Sequence, residues 1–356
     1  MKNTEKKGNV VVIKRILYSC LLVVSFNVQG SQTLNILNWD DYISESVIQA
    51  WEEQTGAKVR IVTYDDEIIR DALLTDSRQN QIDLAIVDSQ SANKLAELSY
   101  LARLDDVTTD TSVEPRWLKQ CGNFAAPYLW GTFGIAYRTD KVTSPITSWK
   151  DLFSSRADIS GHIGMLNDFY AFTAPALLTL NLHHNTHKED DLKQAYELLK
   201  KQAHDVITYE YAPSFLLNPN NQDKLYAAAV YSGDQYTMNE LVGSEVWDYV
   251  LPEEGSFVWL DCWVIPIQSG KKMLAKSFLS FIGRPDIAAE NSEELGVATV
   301  SRAAYELQSE EFRMDELTYP PKETFSRLLP FDPLPESNVR QRTRMFEAVK
   351  VIHESK

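Results

Sequence analysis

Three short stretches set carboxylates among large aromatic rings. In "LNILNWDDYIS", an apolar run ends in Trp39, Asp40, Asp41 and Tyr42. Tyr231, Asp234 and Tyr236 follow the apolar run "AAAVY". Trp259, Asp261 and Trp263 alternate within "SFVWLDCWVIP". An aromatic face attracts a cation through its quadrupole, worth about 0.5–2 kcal/mol, and a carboxylate adds a charge-assisted hydrogen bond. Methylenes between ammonium groups would lie on the rings and leave water. The combination suits a flexible organic polycation better than a bare metal ion, which asks for oxygen ligands. A single instance would read as core aromatics beside a surface acid. Three instances in separate segments point to a cation site.

Other chemistry finds little support. The sequence has no P-loop, G-x-G-x-x-G, G-x-S-x-G or H-E-x-x-H pattern. His183, His184 and His187 in "HHNTH" read as a solvated loop rather than a metal site. The acidic run Asp65–Glu67 lacks the glycine and ligand alternation of a calcium loop and suits the start of a helix. No nucleophile–base pair stands out, so neither an enzyme nor a metal or other cofactor is expected.

The elements that would carry these residues alternate. Leu34–Leu37, Val59–Tyr64 and Ile82–Val87 read as strands, the last buried on both faces. Helices are expected from Ser44 to a stop at Gly56, over Asp66–Leu74, and from Ser91. Tyr128–Arg138 is a strand pair or one long strand, "HIGML" and "AAAVY" are strands, and "KEDDLKQAYELLKKQ" is an amphipathic helix. Side chains alternate along a strand, so Trp259, Asp261 and Trp263 share one face, with Val258, Leu260, Cys262 and Val264 on the other. Such alternation means α/β lobes, and the candidate residues sit mostly at strand C-termini, where open α/β sheets bind ligands.

A chain of 356 residues exceeds one core, so two lobes are expected. Residues 1–30 combine a basic start (Lys2, Lys6, Lys7, Lys14, Arg15), the apolar run Ile16–Phe26 and a small-residue site at Val28–Gly30. They predict a cleaved secretory signal peptide, with an uncleaved anchor or a lipoprotein at Cys20 as alternatives. Cleavage would take away five basic groups and one acidic group, leaving 30 basic against 49 acidic residues, net −19. That charge argues against nucleic acid and anionic lipid as partners and would steer cations inward, though taken alone it reads equally as acidity that keeps a secreted protein in solution. An exported chain could oxidise Cys121 and Cys262, but the sequence leaves their pairing open.

At these residues the sequence resembles the spermidine- and putrescine-binding proteins of the bacterial periplasm, including their norspermidine-sensor branch. "NWDDYISESVIQAWEEQTGAKV", "DLAIVDS", "PYLWGTFGIAYRTDKV", "SWKDLF", "VWLDCWVIP", "GRPDIAAE", "YPPKE" and "VRQRTRMFEAVK" have counterparts in the same order. The resemblance implies a two-lobed type II periplasmic binding fold, with the ligand between lobes joined by crossover strands. It places residues 31–138 and 260–305 in one lobe, and 139–259 and 306–356 in the other. It assigns ligand contacts to Trp39, Asp41, Tyr42, Ser89, Asp168, Tyr231, Asp234, Trp259 and Asp261, and Asp40 lies beside them as an addition of this chain. Departures are Asp40 for Thr or Ser, Asp88 for Pro, Ala171 for Glu, Tyr231 for Trp and Val297 for Tyr. The implied function is a monomeric periplasmic protein that closes on a triamine such as spermidine or norspermidine. It would signal to an inner-membrane cyclic-di-GMP protein or, alternatively, deliver the amine to an ABC permease.

Overall fold

Two crossing strands organise the molecule. The computed structural model describes residues 1, 32–64, 67–104, 107, 112–330 and 334–355. The signal-peptide expectation and Asp65–Asp66 fall outside these residues.

Strands β1 (Thr33–Asn38), β2 (Lys58–Thr63) and β3 (Leu84–Asp88) run parallel in the order β2-β1-β3. Helices α1 (Glu45–Thr55), α2 (Glu67–Thr75) and α3 (Ser89–Glu97) follow them in turn. The Ser44 hydroxyl accepts from Val47 N–H to start α1, and Gly56 ends it at φ 70°. That left-handed angle costs glycine nothing. The third helix begins two residues earlier than expected, because the Asp88 carboxylate caps it.

Strand β4 (Ala125–Arg138) follows α4 (Pro115–Cys121) and is one long strand. Its first part, to Thr132, pairs with β9 (Phe257–Val264); from Phe133 onward it pairs with β7 (Ala227–Tyr231) and β8 (Trp247–Val250). Beyond β7 lie β5 (Ile163–Gly164) and β6 (Val206–Thr208), both parallel to their neighbours. Two short strands, β10 (Ala298–Thr299) and β11 (Leu329–Pro330), add to β4 and β9. The first lobe is thus built on β1–β3 with β9, and the second on β5–β7 with β8.

Side-chain alternation sorts the cores. Trp263 on β9 packs with Trp51 and Phe278, while Val258, Leu260, Cys262 and Val264 face Trp117 and Trp130. Ala227 and Ala229 of β7 join the core of Trp149, Phe172 and Phe346, and Ala228 and Val230 join another under Trp247. In the second lobe, α5 (Trp149–Phe153), α6 (Phe169–Thr179), α7 (Glu189–Gln202) and α8 (Ala212–Leu216) pack around this sheet, and α9 (Asp234–Val242) follows β7.

Cys121 and Cys262 form a disulfide between α4 and β9, with Cα atoms 6.0 Å apart across 141 residues. Closing a loop of that length stabilises a fold by about 4–5 kcal/mol on the chain-entropy view. The histidine segment departs from the solvated loop expected. His184 is buried, its ring nitrogen paired with the Tyr170 hydroxyl and its carbonyl accepting from Arg342 at 2.6 Å. Burial lowers its pKa to about 4, so it sits neutral in the core. Among the described residues no His, Cys, Asp and Glu cluster could hold a metal ion.

Candidate functional site

The C-terminal ends of the parallel strands face one another between the lobes. From β1 come Trp39 and Tyr42. From β3 come Asp88 and Ser89. Gly164 of β5 leads to Asp168, and Tyr231 of β7 leads to Asp234. Asp261 lies mid-strand on β9. Charge interactions tie these residues together: Asp168 feels Asp88, and the Tyr231 hydroxyl feels Asp168, Glu67, Asp234 and Asp261.

Asp261 is 8% exposed and sits opposite Asp88 in the antiparallel β3–β9 register. Directly opposed residues project on the same face, where like charges repel. Burial, with the Asp88 charge added, pushes the Asp261 carboxyl up to about 7, and Tyr42 and Arg70 only partly offset this. The Tyr42 hydroxyl lies close enough to perturb Asp261 but lacks hydrogen-bond geometry, and it has no partner among the described residues. The Tyr42 ring stands edge-on to Tyr128, 5.7 Å away.

Asp88 is engaged differently. One oxygen accepts from Gln90 N–H (3.0 Å) and Ser91 N–H (2.9 Å), and the other accepts from Arg70 at 3.1 Å. Burial raises its pKa, but the Arg70 guanidinium and these hydrogen bonds hold it below the usual carboxylate value. Arg70 is 1% exposed. It also donates to Asp71 (3.0 Å) and Ser91 (2.5 Å), approaches Glu67 (3.8 Å) and lies over the Tyr64 ring. Arg70 was not singled out from the sequence, and Glu67 was read only as the start of a helix, which it is. The signal was their i, i+3 spacing in "EIIR", a lone cation in an acidic stretch. Glu67 is half exposed by area, yet desolvation by the surrounding cleft and the charge of Asp88 raise its carboxyl to about 8.

The "WDDY" turn separates its rings from its acids. Trp39 and Tyr42 are half-buried; Asp40 and Asp41 are exposed. Asp41 adopts φ 47°, a left-handed conformation that aspartate tolerates better than most residues. The Trp39 ring lies 4.3 Å from Tyr64. Ser89 is buried and accepts from Gln120 at 3.3 Å.

In the second lobe, Asp168 caps α6 and accepts from Tyr170 N–H (3.0 Å) and Ala171 N–H (2.6 Å). Burial still leaves its pKa raised. Asp234 opens α9, accepting from the Tyr211 hydroxyl and from Tyr231 N–H at 2.8 Å; burial pushes it up to about 7. Trp259 lies edge-on to Tyr231 at 6.1 Å, and its Nε1 has no hydrogen-bond partner among the described residues. Its ring fills the space over Gly131, where a Cβ would come within 2.5 Å.

Two residues grouped with the site by sequence lie elsewhere. Tyr236 is exposed and donates to Asp315 at 3.0 Å, since two helical positions from Asp234 is the opposite face. Trp263 shares the Asp261 face as expected but lies in the first-lobe core, 4.8 Å from Tyr128.

Residues 46–320 match the family model for bacterial extracellular solute-binding proteins. The chain is 32% identical over 345 residues to the norspermidine sensor of Vibrio cholerae, covering 97% of this chain and 96% of that protein. It is 26% identical over 301 residues to the spermidine/putrescine-binding periplasmic protein of Escherichia coli, covering 83% and 85%. A solved structure of a putative spermidine/putrescine ABC transporter from Listeria monocytogenes superposes with TM-score 0.79 at 27% identity, covering 90% of this chain and 99% of that one. The two-lobed type II fold is therefore shared, and none of these names is an enzyme's. The chain belongs to the bacterial extracellular solute-binding protein family.

Proposed function

We propose that this protein is a periplasmic polyamine sensor that closes its lobes around a triamine of the spermidine or norspermidine kind. The observation carrying the reading is the set of desolvated acids with no lysine or arginine ion pair among the described residues: Asp168, Asp234 and Asp261. Tyr42, Tyr231 and Trp259 lie beside them, with Trp39 at the first-lobe rim. Three acids match three ammonium groups, and the rings suit the methylenes between. Asp234 has a stronger claim to an ammonium than the exposed Asp41. Asp40, exposed likewise, and Ser89, already bonded to Gln120, take outer positions. We read the chain as a monomer without catalytic activity.

Hinge closure would bend the two crossing strands. The switch of β4 from β9 to β7 supports a bend near Thr132–Phe133, between lobes of residues 31–138 with 260–305 and 139–259 with 306–356. A leader at residues 1–30 would deliver the protein to the periplasm. Among the described residues no helix is long and apolar enough to cross a membrane.

A signalling role to an inner-membrane cyclic-di-GMP protein is favoured by the full-length likeness to the norspermidine sensor. Delivery to an ABC permease is the second reading, favoured by the likeness to spermidine/putrescine-binding proteins. In either role the ligand must bind the closed form better than the open one. Calorimetric titration with putrescine, cadaverine, spermidine, norspermidine and spermine tests the binding claim: a triamine should bind most tightly, and absence of binding by all five would refute it. Deleting the gene separates the roles. A sensor's loss changes the cyclic-di-GMP response to triamine and spares uptake, whereas an importer's loss abolishes uptake.

A further inference from the structure

The acids of the cleft are not equivalent, and the exception is Asp88. Its two oxygens already receive two backbone N–H groups and a guanidinium. Arg70 is itself fixed on every side: Asp88 and Asp71 hold its nitrogens, Ser91 accepts a further hydrogen bond, and the Tyr64 ring underlies it. It is almost wholly buried. Unlike a surface pair, this one has its cation out of water, so Arg70 depends on these acids for its charge partners. An ammonium approaching Asp88 would meet a like charge and would have to displace the Arg70 guanidinium from the carboxylate oxygen it holds at 3.1 Å.

Asp88 also faces Asp261 directly across the β3–β9 pair. Without a cation nearby, those two carboxylates would repel each other and draw a positive group between them. Arg70 answers only the Asp88 side, at 3.1 Å, and leaves Asp261 without an ion pair among the described residues.

We infer that the Arg70–Asp88 pair closes the first-lobe end of the cleft to one ammonium group, making Arg70 a specificity-determining residue for the charge and length of the bound amine. The inference rests on the polyamine reading. Asp261, Asp168 and Asp234 then hold the ligand, while Asp88 reads no amine.

The test compares spermidine with spermine by calorimetry on the full protein and three variants. Arg70→Gln removes the charge and keeps a hydrogen-bonding side chain. It should raise the spermine-to-spermidine affinity ratio about tenfold, the scale of one close charge interaction. Arg70→Lys should keep the wild-type ratio, and adding Asp88→Asn to Arg70→Gln should lower the ratio again. A folded Arg70→Gln protein that binds spermidine with an unchanged ratio overturns the inference and leaves the polyamine reading standing. If wild-type protein binds no amine, both fall. A crystal structure of the wild-type spermidine complex decides the matter without any variant. The ion pair should be intact with no ligand nitrogen bonded to Asp88, and a ligand nitrogen about 3 Å from Asp88 would contradict it.

Discussion

Two walls of one cleft handle negative charge in opposite ways. On the first lobe, Asp88 caps α3 and is matched by a buried arginine, and its pKa is lowered. On the second lobe, Asp168 and Asp234 also sit at helix starts and accept backbone N–H groups, but among the described residues no lysine or arginine pairs with them, and their pKa values are raised. A helix N-terminus favours a nearby anion by about 0.3–1 kcal/mol. That does not offset desolvation of a carboxylate, which costs several kcal/mol unless a counter-ion arrives. The acid of one wall therefore has its counter-ion within the protein, and those of the other, with Asp261 between them, are the ones a cation would complete on the proposed reading.

The largest expected effect strikes the shared residue. Asp261→Asn should weaken triamine binding about 100-fold, because a buried ammonium loses its charged partner. Titration calorimetry reads this, and unchanged affinity would remove β9 from the site. A pair of substitutions then separates the walls. Asp88→Asn leaves Arg70 buried beside a neutral amide, so thermal denaturation of the ligand-free protein should show a loss of about 3 kcal/mol. Asp234→Asn should weaken triamine binding about tenfold and leave ligand-free stability unchanged or higher. Equal stability losses in both variants would erase the distinction between the walls.

Acidity should sharpen the same contrast. Asp234 and Asp261 titrate near 7 in the fold, against ordinary values near 4. Groups with raised pKa bind protons more tightly folded than unfolded. Their contribution is complete below the unfolded value and is lost as pH rises through the folded one. Ligand-free melting temperature should therefore fall from about pH 5 to pH 8, and the rise in melting temperature on adding triamine should grow across the same window. A ligand-induced rise that shrinks toward pH 8 would contradict the assignment. The smallest effect concerns the rim: Trp39→Ala should weaken binding about fivefold, the loss of one cation–ring contact, and leave circular dichroism unchanged. Global unfolding would make Trp39 a core residue.

Much of this was legible because short-range patterns carry it. Alternation along Phe257–Val264 assigns Asp261 to one face and Cys262 to the other, and the structure keeps that assignment. Strand ends in "NWDDY" and "AAAVY" mark where side chains meet the cleft. What escaped depends on distance along the chain or on single dihedral angles. Arg70 on α2 meets Asp88 at the end of β3, eighteen residues on, a contact no local spacing signals. Cys121 finds Cys262 across 141 residues. Asp41 and Tyr42 are neighbours, yet one left-handed turn turns the acid to water while the ring goes inward. His184, read as solvated, is drawn into the core by Tyr170 and Arg342.

On the proposed reading, an organic polycation completes the desolvated acids that have no counter-ion among the described residues. Titrating the ligand-free protein with spermidine at pH 7, in buffers of different ionisation enthalpy, tests it most directly. Asp234 and Asp261, poised near 7, are about half protonated there until a cation arrives, and burial raises Asp168 as well. One triamine should bind per protein, with net release of about one to two protons. No binding, or binding whose heat is the same in every buffer, would contradict it.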